Sequence, residues 1–249
     1  MPSFYQRSDK LVAGGVSLVS LVAYLATLAP AVTLEHSGAL VVAGNHFGIG
    51  RVPGYIVWHL LANLFTRMFP AVDWCGHPNP AWALDFMSAL FGSLCCGLVS
   101  LLVHRMARNI VRGPASCATV VPAAAAGWLF AFSPTMWSQS VIAETHTLTC
   151  FFILLLMAMF FCWIERPSRA MALGVGLVLG VALSQSQMLV LIIPALLLTM
   201  LLTDWKLCFA LVGSIALFAV LALAVSQTVF EGHWLAAGVC ALAVFILVP

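Results

Sequence analysis

Residues 145–164 read THTLTCFFILLLMAMFFCWI, closed by Glu144 on one side and by Glu165, Arg166 and Arg169 on the other. An α-helix rises about 1.5 Å per residue, so a run of this length crosses the roughly 30 Å hydrocarbon core of a bilayer. Working outward, further charge-free runs occupy residues 11–34, 86–103, 113–143, 170–203, 207–230 and 232–249. The run 170–203 is too long for one span, and Ser184-Gln185-Ser186-Gln187 interrupts it, which predicts a short helical hairpin. The pattern predicts an all-α polytopic membrane protein of about eight transmembrane helices.

The charges between the runs give the zigzag its direction. Arg7, Lys10, Arg105, Arg108, Arg112, Arg166, Arg169 and Lys206 fall in alternate gaps. The other gaps hold only Arg51 and Arg67, together with Glu35, Asp73, Asp85, Glu144 and Glu231. Basic residues concentrate in cytoplasmic loops. This split predicts cytoplasmic termini, a long non-cytoplasmic first loop over residues 29–85, and a second outer segment over residues 133–147.

Composition closes off other classes. The chain is 63% hydrophobic and 7% charged, whereas an ordinary soluble domain carries about 25% charge. A net charge of +2, spread over juxtamembrane anchors, gives no footprint for nucleic acid. The first run is too long for a cleaved signal and reads as an uncleaved span. Of eight cysteines only Cys75 falls in the outer loop, so the rest read as small buried hydrophobes rather than a disulfide framework. No motif calls for a metal or another cofactor; a divalent ion is left open. No internal repeat divides residues 1–249, which read as a single membrane domain. The last run stops at Pro249, so either a short final helix ends flush with the membrane or the chain is part of a longer protein.

Within the first outer loop, Pro30 is expected to break helix one near Leu28, and a short helix should follow Ser37. The chain turns at Arg51-Val52-Pro53-Gly54. Over residues 55–69 His59, Asn63, Thr66 and Arg67 form a narrow polar stripe among Trp58, Leu60, Leu61, Leu64, Phe65 and Met68. That pattern predicts a helix lying in the membrane interface. Trp74-Cys75-Gly76-His77-Pro78-Asn79-Pro80 reads as a turn-rich return to helix two. Arg105 to Arg112 reads as a basic connection, about 116–132 as helix three, and the Glu144–Thr145 boundary as the start of helix four.

Few residues here are suited to chemistry. Glu35, just beyond the first span, has the reach of a general base; its structural reading is a first-turn acid at the helix after Ser37. His36 and His46 lie in the same loop, as catalytic and binding candidates or as turn residues. Glu144 is an ionisable group at a membrane boundary, where a partner or a cavity is expected. It is a second candidate base, or else a structural tie between the two outer loops. Arg51 suits a phosphate or an ion pair with Glu35 or Glu144. Trp137, Gln139 and Gln185 are polar or aromatic groups placed to contact a substrate.

The stretch Thr27-Leu28-Ala29-Pro30-Ala31-Val32-Thr33-Leu34-Glu35-His36-Ser37-Gly38 resembles the first-loop motif of GT-C-type membrane proteins related to protein O-mannosyltransferases. The resemblance continues through Gly48-Ile49, Pro53-Gly54-Tyr55, residues 84–97 and Phe132-Ser133-Pro134-Thr135-Met136-Trp137-Ser138-Gln139-Ser140-Val141-Ile142-Ala143-Glu144. It covers roughly residues 20–200 in order. It implies a GT-C fold and transfer of a sugar from a polyprenyl-phosphate donor to a non-cytoplasmic acceptor, with an outer-loop carboxylate as base. Two acidic positions of the family pattern hold His36 and Ala39, and its His-Pro-Pro-Gly reads Arg51-Val52-Pro53-Gly54. These departures imply an alternative: a catalytically degenerate pseudoenzyme kept as a subunit of a membrane complex.

Overall fold

A computed structural model describes residues 5–33, 36–46, 48, 55–69, 73–74, 77–111 and 115–203. The chain divides into two compact units, Met1–Val190 and Leu191–Pro249. In the first, α1 (Arg7–Ala26), α2 (Ser37–His46) and α3 (Ile56–Met68) precede a two-residue antiparallel pairing. There β1 (Asp73–Trp74) sets Asp73 opposite Pro78 and Trp74 opposite His77 of β2 (His77–Pro78). Then come α4 (Pro80–Val111), α5 (Cys117–Ala131), α6 (Pro134–Ser140), α7 (His146–Glu165) and α8 (Arg169–Gln185). A 3₁₀ turn, Gln187–Leu191, leads into α9 (Ile192–Thr203) of the second unit.

Among the described residues the architecture is all-helical apart from that ladder, and the chain is an integral membrane protein. Among the described residues α1, α4 and α7 are long and apolar enough to cross a bilayer. The pair α5 and α6, bent by 65°, makes a fourth if it counts as one span. The runs 207–230 and 232–249, needed for eight spans, lie outside the described residues.

Helix α4 is the axis of the first unit. Its 32 residues extend about 48 Å, well beyond one hydrocarbon core. This corrects two sequence expectations. The helix starts at Pro80, because proline at a first helical position costs no hydrogen bond. It also continues through Arg105 and Arg108, where a basic connection was expected, because those side chains find acidic partners. Small residues let the neighbours close in: a Cβ on Gly127 would lie 2.6 Å from Val16 Cγ1 and 3.0 Å from the Cys96 carbonyl oxygen. Close approach at small residues is how helices gain packing in a membrane. In α1 the buried positions Val16, Ser20 and Tyr24 form one stripe at helical spacing, while Leu11, Leu18 and Val22 point outward. Tyr24 donates to the Ala131 carbonyl at 2.9 Å and meets Trp137 edge-on.

One end of this bundle gathers buried charge. Asp9 is fully buried; one carboxylate oxygen accepts the Gln6 N–H at 2.7 Å. The other lies 2.7 Å from His104 Nδ1 and 3.3 Å from Arg108 Nη1. His104 Nε2 is 3.3 Å from the Thr119 hydroxyl, and Arg105 pairs with Glu165. Arg108 is only 6% exposed, so it is no loose juxtamembrane anchor. The cluster pins the start of α1, the end of α4 and the start of α5 together.

Three of the four stripe residues of α3 face inward, and Arg67 is exposed. His59, Asn63 and Thr66 are buried, whereas Ile56, Leu60, Leu64 and Met68 are exposed. Here Asn63 donates to the carbonyls of Gly44 (3.1 Å) and Asn45 (3.3 Å), satisfying backbone groups that a helix end leaves open. The stripe is a seam between α2 and α3, with the apolar side outward.

Candidate functional site

At the opposite end of α4 the segment 141–145 runs from α6 to α7, and Glu144 is its centre. Ala29 N–H donates to the Val141 carbonyl at 3.0 Å, tying this segment to the end of the first helix. The Glu144 carbonyl accepts from Trp58 Nε1 at 3.1 Å and from the Ser88 hydroxyl at 3.4 Å, while Glu144 N–H donates to Ser88 Oγ at 3.3 Å. Trp58, fully buried in the first turn of α3, also donates its backbone N–H to Gln185 Oε1 at 2.9 Å. Glu144 thus joins α3 to α4, and Trp58 carries the link on to the end of α8.

The Glu144 side chain is 6% exposed, and its Oε2 accepts the Thr145 N–H at 3.1 Å. No cation is paired with it among the described residues. The carboxylate therefore sits at the start of α7, where the helix dipole favours negative charge. Asp85, one turn before Ser88, is 2% exposed; its carboxylate faces the Ala143 amide, and its Oδ2 has no partner. Two acids thus lie against backbone amides of the same segment, at Ala143 and Thr145.

Beside this seam lies a cavity of about 140 Å³, lined by Tyr55, Thr145, His146, Thr149, Ser186, Gln187 and Met188. Tyr55, at its edge, adopts a left-handed backbone conformation with φ 37°, a costly state for a residue with a side chain. Among the described residues no group of three His, Cys, Asp or Glu side chains is arranged to hold a metal ion.

Of the residues singled out from sequence, the structure joins Glu144 to Gln185 through Trp58. Gln185 is 1% exposed, its Oε1 engaged and its Nε2 without a partner. His36 and His46 are exposed at the two ends of α2. Trp137 packs against Tyr24 and Phe132, and Gln139 keeps a buried Oε1 without a partner. Glu35 and Arg51 lie outside the described residues. Sequence reading missed Trp58, Ser88, Thr145 and Ser186 as site residues. It also passed over Asp85, whose i, i+3 spacing to Ser88 on an otherwise apolar helix start was the available signal.

A family model described as the protein O-mannosyl-transferase TMEM260 N-terminal domain matches residues 36–209. The chain belongs to this family. Within it, the chain is similar to protein O-mannosyl-transferase tmem260 of Dictyostelium discoideum, 27% identical over 134 residues, which cover 54% of this chain and 15% of that one. It is also similar to protein O-mannosyl-transferase TMEM260 of Mus musculus, 30% identical over 148 residues, covering 59% and 19% respectively. The chain therefore aligns with under a fifth of the length of these relatives. No solved structure matches it. The family match includes the α2–α3 seam, Asp85, Glu144 and the cavity residues.

Proposed function

We propose that this chain carries the transmembrane core of a GT-C-type glycosyltransferase, moving a sugar, mannose by analogy with its relatives, from a polyprenyl-phosphate donor to a hydroxyl acceptor. The observation that carries the reading is Glu144: a buried carboxylate beside a polar cavity, inside the segment that belongs to an O-mannosyl-transferase family. In this scheme a carboxylate takes the acceptor hydroxyl proton, the acceptor oxygen bonds to the sugar's anomeric carbon, and the lipid phosphate departs with the bonding electron pair. Glu144 has one oxygen on the Thr145 amide, which leaves the other for that task. Glu35 is a second base candidate, with His36 beside it, and Arg51 is the counter-charge for the phosphate. Trp137, Gln139, His46 and Gln185 are further contacts.

The proposed topology has about eight spans, with the N-terminus cytoplasmic and the Glu144 end of the bundle outside. A second reading is favoured by His36 and Ala39 standing where the family pattern is acidic. In that reading the chain is a degenerate relative that packs with other membrane subunits, and Glu144 serves as the tie between loops that its backbone already makes. Purified protein supplied with polyprenyl-phosphate mannose separates the two. Under the transferase reading Glu144→Gln lowers transfer by roughly 10²–10⁴-fold, leaves donor binding largely intact, and Glu35→Gln reports whether the base is shared. Absence of transfer by the unmodified chain, with normal assembly of both variants, leaves only the subunit reading.

A further inference from the structure

The cavity beside Glu144 has a chemistry of its own. Four of its lining side chains carry hydroxyls (Tyr55, Thr145, Thr149, Ser186), one a carboxamide (Gln187) and one an imidazole (His146). Thr145 and Ser186 are only 5% and 7% exposed. Thr145 stands at the N-cap of α7 yet makes no side-chain cap bond. Neither hydroxyl makes a hydrogen bond among the described residues, and both line the hollow. Thr149 alone is engaged, donating to the Thr145 carbonyl at 3.1 Å. In a chain this apolar, a hollow lined by hydroxyls, a carboxamide and an imidazole suits a ligand with matching hydroxyls.

The position of Glu144 narrows that ligand. A helix start is ordinarily a favourable place for phosphate, but at α7 the protein's own carboxylate already holds the Thr145 amide. A negative charge next to the hollow disfavours a second anion. Among the described residues, moreover, no Lys or Arg lines it.

We infer that this cavity is the subsite for the neutral polyol part of the substrate, its glycosyl group, with Thr145 and Ser186 as direct hydrogen-bond partners, and that the lipid phosphate binds elsewhere. The inference rests on the glycosyl-transfer reading but assigns residues and a division of charge that the reading leaves open. His146 and Gln187 are exposed and form the mouth, where they contact the outer hydroxyls of the sugar.

The test uses the full chain in phosphatidylcholine nanodiscs, with methyl α-mannoside as probe and saturation-transfer NMR as readout. Binding is expected to the unmodified chain and to Thr145→Ser, which keeps the hydroxyl. Thr145→Val combined with Ser186→Ala should weaken it about tenfold or more, the scale of losing two hydrogen bonds. Neither inorganic phosphate nor sugar-free polyprenyl phosphate should displace the mannoside. No mannoside binding, equal binding by the double variant, or displacement by either phosphate overturns the inference. Because the double variant risks misfolding, a diazirine-bearing mannoside is applied to the unmodified chain as well. Photolabelling should fall on residues 145–149 and 186–188; labelling confined to other segments overturns the assignment. A chain labelled there that transfers no sugar keeps this subsite and removes the transferase reading, whereas transfer with labelling elsewhere does the reverse.

Discussion

At the scale of single residues, Asp9 is the sharpest test of what holds the first unit together. Its carboxylate is the counter-charge of Arg108, itself 6% exposed. Removing one partner of a buried pair leaves the other charge uncompensated, at a cost of roughly 3–5 kcal/mol. Asp9→Ala should therefore lower the thermal unfolding temperature in detergent, and Asp9→Asn, which loses the same charge but keeps one amide oxygen for either Gln6 or His104, should lower it somewhat less. An unchanged melting curve for Asp9→Ala would show that the cluster contributes nothing to stability. The residue scale is also where sequence reading was weakest. Glu144 stood out because a lone acid before an apolar run is costly and therefore conspicuous. Trp58 and Ser186 did not, because a tryptophan or serine in apolar surroundings has no spacing signature. Their meaning comes from partners far along the chain: Trp58 bonds Gln185 across 127 positions.

At the scale of elements, helix starts were legible where a polar residue precedes an apolar run. Ser116 before α5 and Thr145 before α7 fall within a residue of where they were expected. The ends of α4 were not legible. Proline at its start reads locally as a turn, and the arginines at its end read as a loop until Asp9 and Glu165 arrive from other helices. The helix α6 was hidden for a similar reason: Ser133-Pro134 looks like a turn, yet Ser133 Oγ accepts the Met136 N–H at 3.4 Å and caps seven helical residues. Which neighbour the stripe of α3 meets was not legible, because such a stripe fits either headgroups or a neighbouring helix, and periodicity does not say which. Where helices touch at glycine the prediction is steric. Gly127→Leu places a branched side chain where even a Cβ lies 2.6 Å from Val16 Cγ1. Overpacking of this kind costs about 1–3 kcal/mol, and the loss should appear as faster proteolysis in detergent, with Gly127→Ala intermediate. Equal resistance in all three proteins would mean that α1 and α5 have room to part.

At the scale of the whole molecule, charge sorts to the two ends of α4, with Asp9, His104, Arg105, Arg108 and Glu165 at one and Asp85 and Glu144 at the other. Sequence alone revealed this polarity through the alternation of basic gaps; which acids would be buried, it did not reveal. If the basic end is cytoplasmic, the exposed thiol of Cys117, kept as the single cysteine, should react with a membrane-impermeant maleimide only from the cytoplasmic side. Labelling of intact cells from outside would invert the topology. The charged end also has a consequence for biosynthesis. His104 follows Asp9 by 95 residues, so during synthesis the first helix reaches the bilayer with its carboxylate waiting for partners that have not yet left the ribosome. A nascent chain stopped before residue 80 should stay with the insertion machinery or be degraded, while one stopped after residue 131 should be released and persist. Replacing Asp9 with leucine should lengthen the life of the short chain and shorten that of the long one in a pulse-chase. Equal lifetimes would show that the cell does not read this unfinished ion cluster as a sign of an incomplete protein.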